Sequence, residues 1–149
     1  MALKELHELN LSHNNLSGLL HLISSQIFNK SSLLQTLILV GITDHHEESI
    51  HDWLIVNLKM LFGLEILDVS QNSSILVDKL LSEIQTSPIL ALQTLCAAGC
   101  SASEQPEPIS KFAGNEGEDG LASMIRLDLS GSLLSLDQMK LVTESTALC

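Results

Sequence analysis

Residues 63–72 read Gly63-Leu64-Glu65-Ile66-Leu67-Asp68-Val69-Ser70-Gln71-Asn72. Leu64 and Leu67 are three apart, Val69 follows by two, and Asn72 by three more. The alternation Leu67-x-Val69 is that of a short strand, whose successive side chains point to opposite faces. Asn72 falls where the chain must turn out of that strand. Its amide carries both donors and an acceptor, which suits backbone groups that a bend leaves unpaired.

The same pattern recurs on both sides. Upstream lie Leu3, Leu6, Leu9, Leu11, Asn14 and Leu16, then Leu34, Leu37, Leu39 and Ile42. Downstream lie Leu92, Leu95, Ala97 and Cys100, then Leu121, Met124, Leu127, Leu129, Ser132 and Leu134. Aligned on Leu9, Leu37, Leu67, Leu95 and Leu127, the copies are 28, 30, 28 and 32 residues apart. One such match is weak, but five in register identify a repeat protein of about five units, each burying its apolar side against its neighbours. Cys100 fits the Asn position as a small, mostly apolar residue with a weak donor. Ile42 has no side-chain donor and Ser132 is short, so their two turns are predicted to be less regular.

Between the strands the apolar period changes to that of helices. Residues 17–28 place Leu19, Leu20, Ile23 and Ile27 on one face, behind Ser17 as cap. Residues 45–61 place Ile50, Trp53, Leu54, Leu58 and Leu61 together, with Asp44 and Glu47 as a capping box. Residues 75–86 carry Leu76, Leu80, Leu81 and Ile84, stopped by Pro88. Residues 136–147 carry Leu136, Met139, Lys140 and Val142, after Ser135. Strand and helix alternating in this way predict an α/β fold with a parallel sheet. Residues 101–120 break the period with Pro106, Pro108, three glycines and five acidic residues, and read as a solvated acidic loop.

The bulk composition agrees. The chain has 149 residues, enough for one domain over 1–149, and 45% of them are hydrophobic but only 3% aromatic. Leucine and isoleucine must fill the core. The formal net charge of −11 opposes nucleic acid and anionic membrane, since phosphate binding needs Lys and Arg to displace counterions. No apolar run approaches the ~20 residues of a membrane-spanning helix. Three cysteines and no signal-like start point to the cytoplasm, or the nucleus, with free thiols. Residue 3 already lies inside a repeat with no polar cap before it. That predicts a piece of a longer array, or an oligomer that covers its ends by assembly.

Three runs carry a family resemblance: residues 3–18 (Leu-Lys-Glu-Leu-His-Glu-Leu-Asn-Leu-Ser-His-Asn-Asn-Leu-Ser-Gly), residues 63–72, and residues 125–132 (Ile-Arg-Leu-Asp-Leu-Ser-Gly-Ser). They resemble the leucine-rich-repeat superfamily, and the period of about 28–30 with true helices is similar to its ribonuclease-inhibitor-like subclass. The resemblance implies a solenoid, with a curved parallel sheet on the concave side and helices on the convex side. It also implies a protein-interaction module rather than an enzyme. Leu64 to Ser70, Pro88, and Leu127 to Ser130 further resemble the repeat region of the Zyg family, substrate receptors of cullin-RING ubiquitin ligases. The chain departs from that family at Leu95-Cys96-Ala97, which lacks the Asp, and in having no recognisable elongin- or cullin-binding box and no armadillo-type repeats.

Carried over by residue, the resemblance places a partner protein against the outward strand positions. Those rows are Glu8, Asn10, Ser12; Thr36, Ile38, Val40; Ile66, Asp68, Ser70; Thr94, Cys96, Ala98; and Arg126, Asp128, Ser130. The expected binding residues are Asn10, Ile38, Val40, Ile66, Asp68, Cys96, Arg126 and Asp128. Ile38, Val40 and Ile66 are apolar where the pattern does not require it, and contiguous exposed apolar surface tends to mark an interface. Asp68 and Asp128 are expected to flank that patch and to receive a basic group.

Other chemistry is not indicated. His46-Glu47 is followed by His51, five residues on, whereas the helical zinc motif needs histidines at i and i+4. The stretch His45-His46-Glu47-Glu48 reads as a polar helix start. Cys96 and Cys100 lack the second pair that a zinc site requires, and nothing near Cys96 would lower its pKa. No phosphate loop, dinucleotide fingerprint or nucleophile elbow occurs, so neither cofactor nor metal is expected.

Overall fold

The computed structural model describes residues 5–16, 18–23, 33–43, 49–86, 91–103 and 123–140. The Ser17 cap, Ile27, the Asp44–Glu47 box with its histidines, Pro88, residues 104–120 and residues 141–149 lie outside the described residues.

Five short strands, β1 (Glu8–Asn10), β2 (Thr36–Ile38), β3 (Ile66–Asp68), β4 (Thr94–Cys96) and β5 (Arg126–Asp128), pair in chain order into one parallel sheet. Their central leucines stand level: Leu9 by Leu37, Leu37 by Leu67, Leu67 by Leu95, and Leu95 by Leu127. The class is therefore α/β, with the strands in the order expected.

The hydrogen bonds repeat with the sequence. Leu11 and His13 N–H donate to the carbonyls of Ile38 and Val40, and Leu39 and Gly41 to those of Asp68 and Ser70. Val69 and Gln71 reach Cys96 and Ala98, and Ala97 and Gly99 reach Asp128 and Ser130. In return, Gln35 and Thr36 donate to His7 O, and Ile125 and Arg126 donate to Gln93 O. Four residues beyond each central leucine φ is positive, at His13, Gly41, Gln71, Gly99 and Gly131.

That regularity corrects one expectation. The turns at Ile42 and Ser132 take the same positive-φ conformation as the others, and the Ile42 turn makes the same ladder bonds, so the backbone sets the turn and the ladder side chain completes it. Buried Asn72 donates through Nδ2 to Leu39 O and Val69 O, both at 2.7 Å, and Oδ1 accepts from Ile42 N at 2.8 Å. Cys100 Sγ donates to Val69 O at 3.2 Å, and Ser132 Oγ to Ala97 O at 2.7 Å. Each residue thus ties its own unit to the preceding one. Asn14 differs from the expectation in being exposed, and its Nδ2 bonds only Leu11 O and Ser12 O of its own turn.

Helices among the described residues include α1 (Leu20–Ile23), α2 (Ile50–Leu58) and α3 (Val77–Thr86), and residues 136–140 are helical as well. α2 begins at Ile50 because Ser49 caps it, its hydroxyl accepting from His51 N–H at 3.2 Å. The expected inward residues Ile50, Trp53, Leu54, Leu58 and Leu61 are all buried. Trp53 Nε1 donates to Leu20 O at 2.8 Å, tying α2 to α1. On α3, Leu80, Leu81 and Ile84 are buried as expected. Two expectations fail at the ends. Leu19 is 46% exposed, because α1 is a single turn starting one residue later. Leu136 and Met139 are 66% and 47% exposed, because no further unit lies beyond residues 136–140 among the described residues to cover them. Ser135 and Gln138 instead form a reciprocal cap: Ser135 N–H donates to Oε1 and Gln138 N–H to Oγ.

The core is one continuous cluster. It runs from Leu16 and Leu20 through Leu37, Leu39, Leu67, Val69 and Leu95 to Ala97 and Cys100. The start of the expected acidic loop is fixed: Ser101 N–H donates to Ile75 O, the Ser101 carbonyl accepts from Val77 N–H, and both the N–H and the hydroxyl of Ser103 donate to the Asp78 carboxylate.

Candidate functional site: the outward face of the sheet

With Leu9, Leu37, Leu67, Leu95 and Leu127 turned to the core, the residues on either side of each must point the other way. Register then arranges them in rows. One row is Glu8, Thr36, Ile66, Thr94, Arg126, and the next is Asn10, Ile38, Asp68, Cys96, Asp128. A third is laid down by the turns, in which Val40 N–H donates to Ser12 Oγ and Ala98 N–H to Ser70 Oγ, both at 3.2 Å.

The structure brings five of the expected residues, Asn10, Ile38, Asp68, Cys96 and Asp128, into a single row across all five strands. Ile66 and Arg126 share the adjacent row, separated by Thr94, and Val40 lies on the turn side of Ile38. Ile38 and Ile66 are diagonal neighbours across β2 and β3, which puts the members of the expected apolar patch on adjacent strands. Asp68 flanks it, standing directly beside Ile38. Asp128 does not: Cys96 and the whole of β4 intervene, because the register allots one residue per strand.

Backbone geometry fixes the polar members. Asn10, Asp68 and Asp128 each accept, through Oδ1 at 3.0 Å, the N–H two residues on, from Ser12, Ser70 and Ser130 respectively. These bonds hold the side chains against their own turns. The Ser130 hydroxyl also donates to Asp128, and these two bonds hold its carboxyl below the ordinary carboxylate range. Cys96 sits between two acids. Partial burial, then the Asp68 charge, raise its thiol above the ordinary range, which keeps it protonated and poorly nucleophilic. Cys100 is raised as well, first by burial.

A polar column along the lower rim of the sheet was not singled out from sequence. His7, Gln35, Glu65 and Gln93 each lie two residues before a central leucine, and Gln35 Nε2 donates to Glu65 Oε1 at 3.1 Å. The shared offset was the signal that could have found it. His51 has a structural place: it is buried, and Nδ1 accepts from Leu76 N–H at 3.4 Å. Among the described residues no group of three or more His, Cys, Asp or Glu could hold a metal ion, and no helix is long and apolar enough to cross a membrane.

Comparisons of the chain with family models, with curated proteins and with solved structures give no match.

Proposed function

We propose that the chain is a leucine-rich-repeat solenoid that binds a protein partner on the outward, concave face of its sheet and carries out no catalysis. The observation that supports this most is the state of that face. Parallel sheets almost always have both faces covered. Here the core lies on one side, while the other presents Ile38, Val40 and Ile66 half-buried to exposed, with a preset Asp68 beside them. An apolar patch next to a fixed carboxylate suits a partner that offers an apolar side chain and a Lys, Arg or amino terminus.

The test is retention of cytoplasmic proteins by the immobilised chain. The substitutions Ile38→Glu and Asp68→Arg together remove the patch and reverse the charge without touching the core. A control, Val56→Glu, alters an exposed apolar residue of α2. A partner retained by the native chain and the control but lost by the double variant supports the reading. Equal retention by all three contradicts it. Elongin and cullin among the retained proteins would place the chain with ubiquitin-ligase substrate receptors, the narrower form of the proposal.

A further inference from the structure

The two edges of the sheet are complementary. By the period of the ladder, the outer edge of β5 offers Leu129 and Gly131 N–H and the Ile125 carbonyl. These are the counterparts of the groups through which each inner unit bonds the next. The outer edge of β1 offers the Asn10 and Ser12 carbonyls and the His7 and Glu8 N–H, the groups that receive them. None of these has a ladder partner on its outer side among the described residues.

Side chains match in the same register. Continuing the rows past β5 sets Arg126 level with Glu8, and Asp128 level with Asn10. A cation then meets an anion, and a carboxylate meets an amide donor. Asn14 carries a further mark. Its counterpart Asn72 reaches back to Leu39 O and accepts from Ile42 N–H of the preceding unit. For Asn14 the equivalents would be Leu129 O and the N–H of Ser132, which now turns to Leu129 O. Among the described residues nothing donates to Asn14 Oδ1. On the inward side Leu37, Leu67 and Leu95 are fully buried, whereas Leu9, Leu11, Leu127 and Leu129 are only partly so.

We propose that two copies of this chain join head to tail, the β5 edge of one adding in parallel to the β1 edge of the other, with Arg126 against Glu8. The contact is heterologous, so it leaves one edge of each kind free, and association continues with concentration unless a ring closes. It runs through the sheet edges rather than through the Ile38–Ile66 patch, and shares Arg126, Asp128 and Asn10 with the outward face.

Sedimentation equilibrium of the full chain over a wide concentration range provides the test, with amide hydrogen exchange at each concentration. The mean mass is expected to rise above that of one chain. Glu8, Leu129 and Gly131 amides should gain protection together. Glu8→Arg or Arg126→Glu alone places like charges in register and should weaken association about three- to tenfold. The double exchange should restore it. A mass that stays at one chain throughout overturns the proposal, as do association indifferent to both single substitutions, failure of the double exchange to restore it, and protection at one edge only.

Discussion

The contrast between Asn72 and Asn14 shows what position adds to one residue type. Both stand five beyond a central leucine. Asn72 is buried with partners in two units, while Asn14 is exposed with partners in one. Removing a buried amide strands the groups it satisfied, at about 1–3 kcal/mol for each buried polar group left unpaired. Asn72→Ala should therefore cost about 2–4 kcal/mol in urea unfolding, and Asn14→Ala less than about 1 kcal/mol. Equal losses would mean that the inter-unit bonds carry little of the difference. His51 supplies a pH-dependent counterpart. Burial is the main cause that lowers its pKa, and Lys79 adds to it, while Asp52 and Asp78 oppose it. The folded state thus binds fewer protons than the unfolded one. Stability from this residue is complete above the ordinary imidazole value of about 6.5, and is lost as pH falls from there to the lowered folded value. His51→Gln should flatten that part of the stability profile between pH 7 and 5. An unchanged slope would assign it to other groups.

At the scale of the element, the turn after each strand depends on a left-handed residue. Gly41 meets this with φ +58, and a Cβ there would lie 2.8 Å from His13 Nδ1. Gly41→Ala adds backbone strain to a side-chain clash and should cost about 1–3 kcal/mol, read from thermal unfolding. A neutral result would show that the turn relaxes. This position was legible in part. Gly41, Gly99 and Gly131 share an offset, but His13 and Gln71 at the same offset hide it, because both accept positive φ without being glycine. The strands were legible because a leucine marks each centre and register follows from it. Helix boundaries were less so. Ser49 lies amid other polar residues able to cap α2, and only the fold selects it. Leu136 and Met139 carry a helical period, yet both are exposed, because a period marks which residues share a face and not what covers that face.

For the whole molecule, stacking makes the energetics depend on place along the sheet. Leu67 is fully buried between two units, and Leu127 only partly, with one. Leu67→Ala should cost about 3–5 kcal/mol, and Leu127→Ala about half of that, by urea unfolding at low concentration. Equal costs would contradict a stack whose units are held mainly by their neighbours. The outward face was readable as rows of residues from the period alone. Which of them touch required the register, and this separated Asp128 from the patch that Asp68 adjoins.

The claim that this face binds is tested most directly by methyl NMR of the chain, free and saturated with a partner it retains. The account predicts that the methyl signals of Ile38, Val40 and Ile66 shift or broaden, while those of buried Ile84 and exposed Val56 stay in place. Unmoved signals at Ile38, Val40 and Ile66, with movement at Val56 on α2, would contradict it.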